Sequence, residues 1–433
     1  MYLSFTNKPA PDAAPTAQPH DEAGPRRRAG ARTVSSTVIT LGIVSMLTDI
    51  SSESVTAILP LYVTGMLGLS TVAFGLLDGI YQGVSALVRI GAGYTSDRVD
   101  QPKWVAFSGY ALAAVARVGL LAWTGFGALT AVLTADRIGK GIRTAPRDAL
   151  ITAASDPQRL GAAFGVHRML DNIGAALGPL IAFVILLAIP NGFATVFVAS
   201  LAFAVMGVVL LALVVPNLRT RARATRDAAA PRRRVSWRSV ARGPMRRVLA
   251  AAGILGLLTV GDGFVYLLLQ ARSDFAAQWF PLLYVGTNVV FLALAVPLGR
   301  LADRVGRTRV FVVGHVALLA AYVLAVLPMS DIVATIGCLA FLGAFYAATD
   351  GVLSALVSQL STPETRGTAL GTAQTVVAIA RFFSAAGFGL LWYALGREVA
   401  MLAVAAVLLV AIPAVALVLR PLLRRPEPAE ASS

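Results

Sequence analysis

Apolar runs long enough to cross a bilayer recur along this chain from Thr37 to Leu419. A helix needs roughly 20 mainly apolar residues for that crossing. The runs are continuous and do not alternate with period two, which points to helices and away from a β-barrel. Lipid is therefore the solvent for most of the fold: mean hydropathy is +0.74 and only 14% of residues are charged, against about a quarter in soluble domains. Spans are expected near 37–66, 70–94, 103–124, 127–152, 160–188 and 191–215, and again near 248–270, 276–299, 308–327, 331–360, 366–395 and 398–420. Residues 1–36, rich in Pro, Ala and Arg, are expected as a disordered tail, with 421–433 as a second one. No charged segment leads into a short apolar region with a cleavage site, so no signal peptide is expected.

The formal charge of +15 is concentrated outside the runs. Residues 216–247, between the two sets, carry eleven arginines and one acid, Asp227, which makes this segment a solvated linker. Arg26, Arg27, Arg28 and Arg32 lie in the first tail, Arg98 and Lys103 follow the second run, and Arg300, Arg304, Arg307 and Arg309 follow the eighth. Arg420, Arg424 and Arg425 close the chain, while the opposite loops are nearly bare apart from Arg272 and Arg397. Basic loops stay on the cytoplasmic side, so both termini and the linker are expected there. No basic segment is interleaved with stacking aromatics, which argues against a nucleic-acid partner. The single cysteine, Cys338, sits in an apolar run and reads as a core side chain. His20, His167 and His315 have no metal-ligand spacing, and "GKGIRT" does not satisfy the phosphate-loop pattern. Neither cofactor nor metal is expected, and no nucleophile–base constellation suggests an enzyme.

One segment conflicts with this pattern. "ADRIGKGIRTAPRD", from Ala135 to Asp148, holds Arg137, Lys140, Arg143 and Arg147 with two acids in fourteen residues. Only the weakly polar stretch from Thr124 to Ala135 precedes it, too short to cross alone. Were the segment a loop, the arginine-rich linker would fall on the wrong side. It is therefore expected to form the inner half of span 4, with its charges facing partners or water.

The two halves repeat. "GYTSDR" at Gly93 to Arg98 matches "GRLADR" at Gly299 to Arg304, and the same offset of 206 relates "SDPQRLGAAFG" at Ser155 to "STPETRGTALG" at Ser361. Two loops sharing one register argue for duplicated six-helix bundles. On these motifs the chain resembles the major facilitator superfamily across residues 37–420. The loop signature Gly-x-x-x-Asp-Arg-x-Gly-Arg/Lys is complete at Gly299, Asp303, Arg304, Gly306 and Arg307; the first copy keeps Gly93, Asp97 and Arg98 but has Asp100 and Gln101 where the family has glycine and a base. "LTADRIGKG" is similar to the family's span 4 motif at Leu133, Arg137 and Gly141, with Lys140 replacing glutamine. "GAALGP" resembles part of a span 5 motif, in which Gly174, Gly178 and Pro179 would form a hinge. "DISSESVTAILPLY" with "DRIGKGIRTAPRDA" is similar to a poorly characterised prokaryotic permease subgroup.

The resemblance implies an all-α integral membrane protein of twelve transmembrane helices in two pseudo-symmetric six-helix bundles, 37–215 and 248–420, with spans 1, 4, 7 and 10 lining a cavity. It implies a secondary transporter working by alternating access on a small-molecule substrate, with uptake or efflux open; acids able to pair with intramembrane arginines make proton coupling the expectation, and a monomer in the inner membrane of a prokaryote is expected. The other class kept open is a non-transporting sensor or assembly protein on the same fold. The loop motifs are expected to gate, because contacts made by aspartate and arginine across the two halves hold one state and break in another. Candidate coupling and substrate residues are the intramembrane ionisable ones: Asp49, Glu53, Arg137, Lys140, Arg143, Asp171, Asp262, Asp350 and Arg381. If the charges only hold helices together, Glu53 with Arg137 or Asp171 with Arg143 are example pairs, and which of Asp49, Glu53, Asp171 or the substrate satisfies the span 4 cations stays open; Asp78 and Arg89 are expected as interfacial or cavity-edge groups. Because span 4 carries more cations than acids, its cations would favour a carboxylate or phosphate on the substrate, whereas the acids on spans 1, 7 and 10 would suit a cation or zwitterion.

Overall fold

The computed structural model of the chain describes residues 34–99, 101–156, 159–218, 242–362 and 365–423, and of 86, 87 and 89–99 the backbone alone. The expected tail before Val34, most of the linker and the last ten residues lie outside the described residues. The first half comprises α1 (Ser36–Leu61), α2 (Thr71–Val99), α3 (Pro102–Ala122), α4 (Phe126–Ala153), α5 (Leu160–Ala188) and α6 (Phe193–Val214). The second comprises α7 (Gly243–Leu257) and α8 (Asp262–Ser273), which together make span 7, then α9 (Phe280–Val305), α10 (Arg307–Val326), α11 (Asp331–Gln359), α12 (Arg366–Leu395) and α13 (Arg397–Leu423). The protein is thus an all-α, twelve-span membrane fold. Ten spans are apolar and long enough to cross a membrane on composition alone. The two that are not, α2 and α4, pack against each other, and α4 packs also on α3.

The two halves pack alike. In the first, α1 packs on α5 and α6, α3 on α4 and α6, and α2 on α4; in the second, α7 packs on α12 and α13, α10 on α11 and α13, and α9 on α11. Each pair has its counterpart, and so do the two seams between halves, α2 with α12 and α5 with α9. Large apolar side chains such as Leu213, Ile332 and Val410 stay exposed on the outside, where lipid replaces the packing partner a soluble protein would need.

Local chemistry sets the irregular points. Pro60 lies inside α1, and the helix then widens into a π-turn at Tyr62–Met66, closed by the Leu67 amide donating to the Tyr62 carbonyl at 2.9 Å. A proline ring crowds the preceding turn and removes a donor, so the helix relaxes next to it. Span 7 is expected as one helix but is broken at Leu258–Gly261. The freed backbone groups are satisfied from neighbouring helices, as a low-dielectric surrounding demands. Tyr322 of α10 accepts from the Val260 amide at 2.7 Å and donates to the Leu258 carbonyl at 3.3 Å, and Ser384 of α12 donates to the Thr259 carbonyl at 2.8 Å.

Glycines let α2 and α12 meet at the end where α1 leads into α2. A Cβ on Gly389 would lie 2.5 Å from the Thr71 carbonyl oxygen, and one on Gly75 would lie 2.5 Å from that of Ala385. Gly387, two residues away on α12, has open space around it. Gly389→Ala is therefore expected to lower the melting midpoint of the purified protein, by an overpacking cost of about 1–3 kcal/mol. Gly387→Ala is expected to leave it unchanged or raise it slightly. Equal melting of the two variants would contradict the close seam.

Candidate functional site: a charged cavity between the halves

α4 is wedged between α3 and α2 by two glycines of "RIGKG". A Cβ on Gly139 would lie 2.5 Å from the Gly109 carbonyl oxygen of α3, and one on Gly141 would lie 2.7 Å from Val88 of α2. This close fit carries the cations of α4 into the bundle, where each meets a carboxylate. Asp136 receives Arg137, through Nε at 2.9 Å and through Nη2, and also Arg117 of α3 through Nη2 at 2.9 Å. Arg117 further donates to Ser51 and Ser52 of α1, at 3.3 and 3.1 Å. Arg117, Asp136 and Arg137 are only 2, 1 and 3% exposed, so these contacts replace water almost completely.

A second cluster lies one to three turns further along α4. Asp49 of α1 stands 4.0 Å from the Lys140 ammonium and 3.8 Å from the Arg143 guanidinium, shared between the two. Arg143 also lies over the Tyr110 ring at 4.6 Å. Arg147 is similarly divided: 3.0 Å from Asp148, 3.0 Å from the Ser45 hydroxyl and 3.9 Å from Asp171 of α5. Neither example pair forms, and of the acids left open Asp49 and Asp171 take span 4 cations. Arg137 takes its chain neighbour Asp136 instead of Glu53, and Arg143 takes Asp49 while Asp171 turns to Arg147. His167 is buried nearby, with neither ring nitrogen hydrogen-bonded among the described residues.

Between the halves lies a cavity of about 250 Å³. Its acids are Glu53 (α1), Asp78 (α2), Asp262 (α8) and Asp350 (α11), and its rings include Tyr81, Tyr284 and Tyr346. Tyr346 donates to Asp262 at 2.7 Å, and Asp350 lies 3.8 Å from Arg381 of α12. Tyr81 accepts from Thr56 at 2.6 Å, donates to Glu53 at 3.4 Å and carries Arg137 over its ring face at 3.8 Å. Asp78 has a buried carboxylate oxygen with no hydrogen-bond partner among the described residues, beside Gly261 of the break in span 7.

On one side the cavity is capped by aromatic rings. Phe264 of α8 contacts Phe74 of α2 at 4.8 Å, Phe388 of α12 at 4.9 Å and Trp392 at 5.7 Å between centroids. Phe183 of α5 meets Trp279, just before α9, at 5.4 Å. On the other side Asp350 is 54% exposed. A second cavity of about 300 Å³ shares Phe291 with the first and extends between α9 and α11 to Asp303 and Arg307.

The arrangement brings Glu53, Asp262, Asp350 and Arg381 together but leaves Arg137, Lys140 and Arg143 out of the lining. The cavity is lined by α1, α2, α8, α9 and α11, where spans 1, 4, 7 and 10 are expected. In the complete loop motif, Asp303 pairs with Arg307 at 2.9 Å, and Arg307 donates to the Ala355 carbonyl of α11 at 3.4 Å. Both contacts stay within the second half. Gly93, Asp97 and Arg98 fall in α2, but their side chains, like that of Arg89, lie outside the described residues. At Gly174 and Gly178 the helix is continuous through Pro179, and both glycines lie against the backbone of α1. The sequence reading passed over Arg117, Asp136, Tyr81 and Tyr346; a lone arginine inside the apolar run of α3 was a readable signal for the first.

Paired helices of two matching halves around a charged, one-sided cavity define a polytopic membrane transport fold. The chain belongs to the Major Facilitator Superfamily, whose model matches residues 41–287 and 271–433. It is 28% identical over 375 residues to an uncharacterized MFS-type transporter of Methanocaldococcus jannaschii, covering 83% of this chain and 89% of that one. Among solved structures, the nucleoside transporter NupG aligns with a TM-score of 0.76 at 14% identity, over 89% of this chain and 99% of that one. A bacterial homologue of the human lysosomal transporter Spinster, inward-facing and unoccupied, aligns at 0.68 with 14% identity, over 91% and 98%. At these identities the structural likeness concerns the fold.

Replacing Asp136 by Asn would leave two buried guanidiniums without a counter-charge, at a cost of about 3–5 kcal/mol. The expected outcome is loss of monodisperse protein in size-exclusion chromatography. Arg117→Met leaves a one-to-one pair and is expected to be tolerated better; equal yields of Asp136→Asn and wild type would refute the buried triad.

Proposed function

We propose that this protein is a secondary active transporter that moves a small solute by alternating access, driven by protons. The observation that carries the reading is the cavity at the junction of two matching halves, capped by rings at one end and leading to exposed carboxylates at the other. The family supports a membrane transporter, and the positive-inside pattern supports placing the termini on the cytoplasmic side of a prokaryotic inner membrane. In that orientation the ring cluster faces outward and the cavity faces the cytoplasm. Opening outward then requires the α2–α12 and α5–α9 seams to part while the opposite ends close, a rocking of one half against the other. As a monomer the chain contains both halves and the whole cavity.

The shared carboxylates supply a coupling device. Asp49 serves Lys140 and Arg143 at distances near the limit of ion pairing, and Arg147 divides itself between Asp148 and Asp171. A proton arriving on Asp49 would release both α4 cations to seek other partners, shifting the balance between two packings of α1, α4 and α5. Only a change in differential stabilisation of the two states moves such an equilibrium.

The test uses the full chain in proteoliposomes, with a solute chosen by ligand-induced thermal stabilisation. Cysteines replacing Phe183 and Trp279, whose rings meet across the outer seam at 5.4 Å, joined by a short reducible bifunctional reagent, are expected to abolish solute flux, with recovery on reduction. Asp49→Asn is expected to retain solute exchange but to lose accumulation driven by an imposed pH gradient. Flux that persists through the cross-link would overturn alternating access and favour a non-transporting role; gradient-driven accumulation in Asp49→Asn would overturn the coupling role alone.

A further inference from the structure

We infer that the cavity takes an organic cation: an amine or quaternary ammonium group on a small aromatic or apolar body. This rests on the transport reading above and specifies its substrate. Charge balance is the starting point. Arg117, Arg137, Lys140, Arg143 and Arg147, the cations of α3 and α4, are each within ion-pairing distance of Asp136, Asp49, Asp148 or Asp171. None of them lines the cavity. Four carboxylates do, and the guanidinium at its edge, Arg381, stands by Asp350. Among the described residues no Lys or Arg nitrogen lies within 4.0 Å of Glu53, Asp78 or Asp262.

An independent observation points to a ligand. Asp78 lines the cavity with Gln82 as a side-chain hydrogen-bond partner, while one of its oxygens lies buried against the break in span 7 with no donor among the described residues, so the carboxylate has a neutral amide beside it and no cation within 4.0 Å among those residues. A buried acceptor left unpaired is costly, and a charged donor from a ligand is a strong remedy. The positive end of α8 offers an anion little, because Asp262 is itself the first residue of that helix. The ring faces agree with the carboxylates. Tyr81 and Tyr346 already carry Arg137 and Arg381 at 3.8 and 5.8 Å, and Tyr284 adds a third ring to the lining. Aromatic faces attract cations and accept flat apolar bodies equally well. At about 250 Å³ the space suits a one- or two-ring molecule.

The test compares two ions of permanent, opposite charge on one ring, phenyltrimethylammonium and benzenesulfonate, as radiolabelled solutes entering proteoliposomes that hold the full chain. Protein-dependent entry of the cation is expected to exceed that of the anion by about tenfold or more, the size of a charge-assisted contact. Asp262→Asn is expected to cut cation entry by about tenfold, while Glu398→Gln, far along the chain at the start of α13, leaves it unchanged. Should Asp262→Asn fail to fold, Asp350→Asn reads the same cavity from a more exposed position. Faster entry of benzenesulfonate, or cation entry indifferent to both cavity variants, would overturn the cation assignment and leave the transport reading standing. Entry of neither ion into vesicles holding folded protein also overturns it; the cross-link across the outer seam then decides separately whether transport itself survives.

Discussion

The rest of the first half depends on the contact between Asp136 and two arginines. A helix bearing Arg137, Lys140, Arg143 and Arg147 is too charged to lie against lipid, where one such group at mid-bilayer costs about 2.5–3.5 kcal/mol on insertion scales. It becomes a span only as an inner helix. Asp136 supplies the counter-charge at the deepest point, Gly139 and Gly141 let α3 and α2 close over it, and Asp49 and Asp171 take the remaining cations from α1 and α5. Buried pairs add little net stability beyond a well-packed apolar core. Their effect here is on register: α1, α3, α4 and α5 are tied to one another by these contacts.

The second half solves the same geometric problem with fewer charges. Its counterpart of α4, α11, carries Asp350 and Tyr346 in place of the arginine run, and its irregularity sits in span 7 instead. The break at Leu258–Gly261 is stable because Tyr322 and Ser384 take up its free backbone groups. It places Asp262 at a helix start beside Asp78 of the other half. Pseudo-symmetry thus governs the packing pairs, whereas the chemistry of the two halves has diverged: the first holds the cations of α3 and α4 against acids, while both halves contribute acids to the cavity.

Much of this was legible in the sequence, and the boundary of what was not is physical. Span positions follow from hydropathy and loop charge, and most helix ends fall within a few residues of the expected limits, because lipid enforces length so strictly. The membrane placement of "ADRIGKGIRTAPRD" followed from parity of crossings. Pairing did not follow. Arg137 and Asp136 are adjacent in sequence, and helical spacing rules, which favour residues three or four apart, direct attention away from neighbours whose long side chains fold back on each other. The break in span 7 was written only faintly, as the Thr259-Val260-Gly261 step before Asp262. Asp78 is legible as an interfacial or cavity-edge group, but its neighbours Gly261 and Asp262 lie nearly two hundred residues away in sequence.

The same limit applies to substrate charge. The cations of α4 and the acids of spans 1, 7 and 10 leave both signs open in the sequence, because the field a solute meets depends on the groups that face it and on which charges are already neutralised at short range. Arg137 reaches the lining only through the ring of Tyr81, whose opposite edge is turned to Glu53. The arginine therefore acts on the cavity by polarising a tyrosine and steadying a carboxylate, and it presents no free guanidinium to an anion. Short-range pairing converts the most basic segment of the membrane domain into a scaffold for an acidic site. One oxygen of Asp78, buried against the broken helix where the two halves meet, has no donor among the described residues, while Gln82 hydrogen-bonds the same carboxylate.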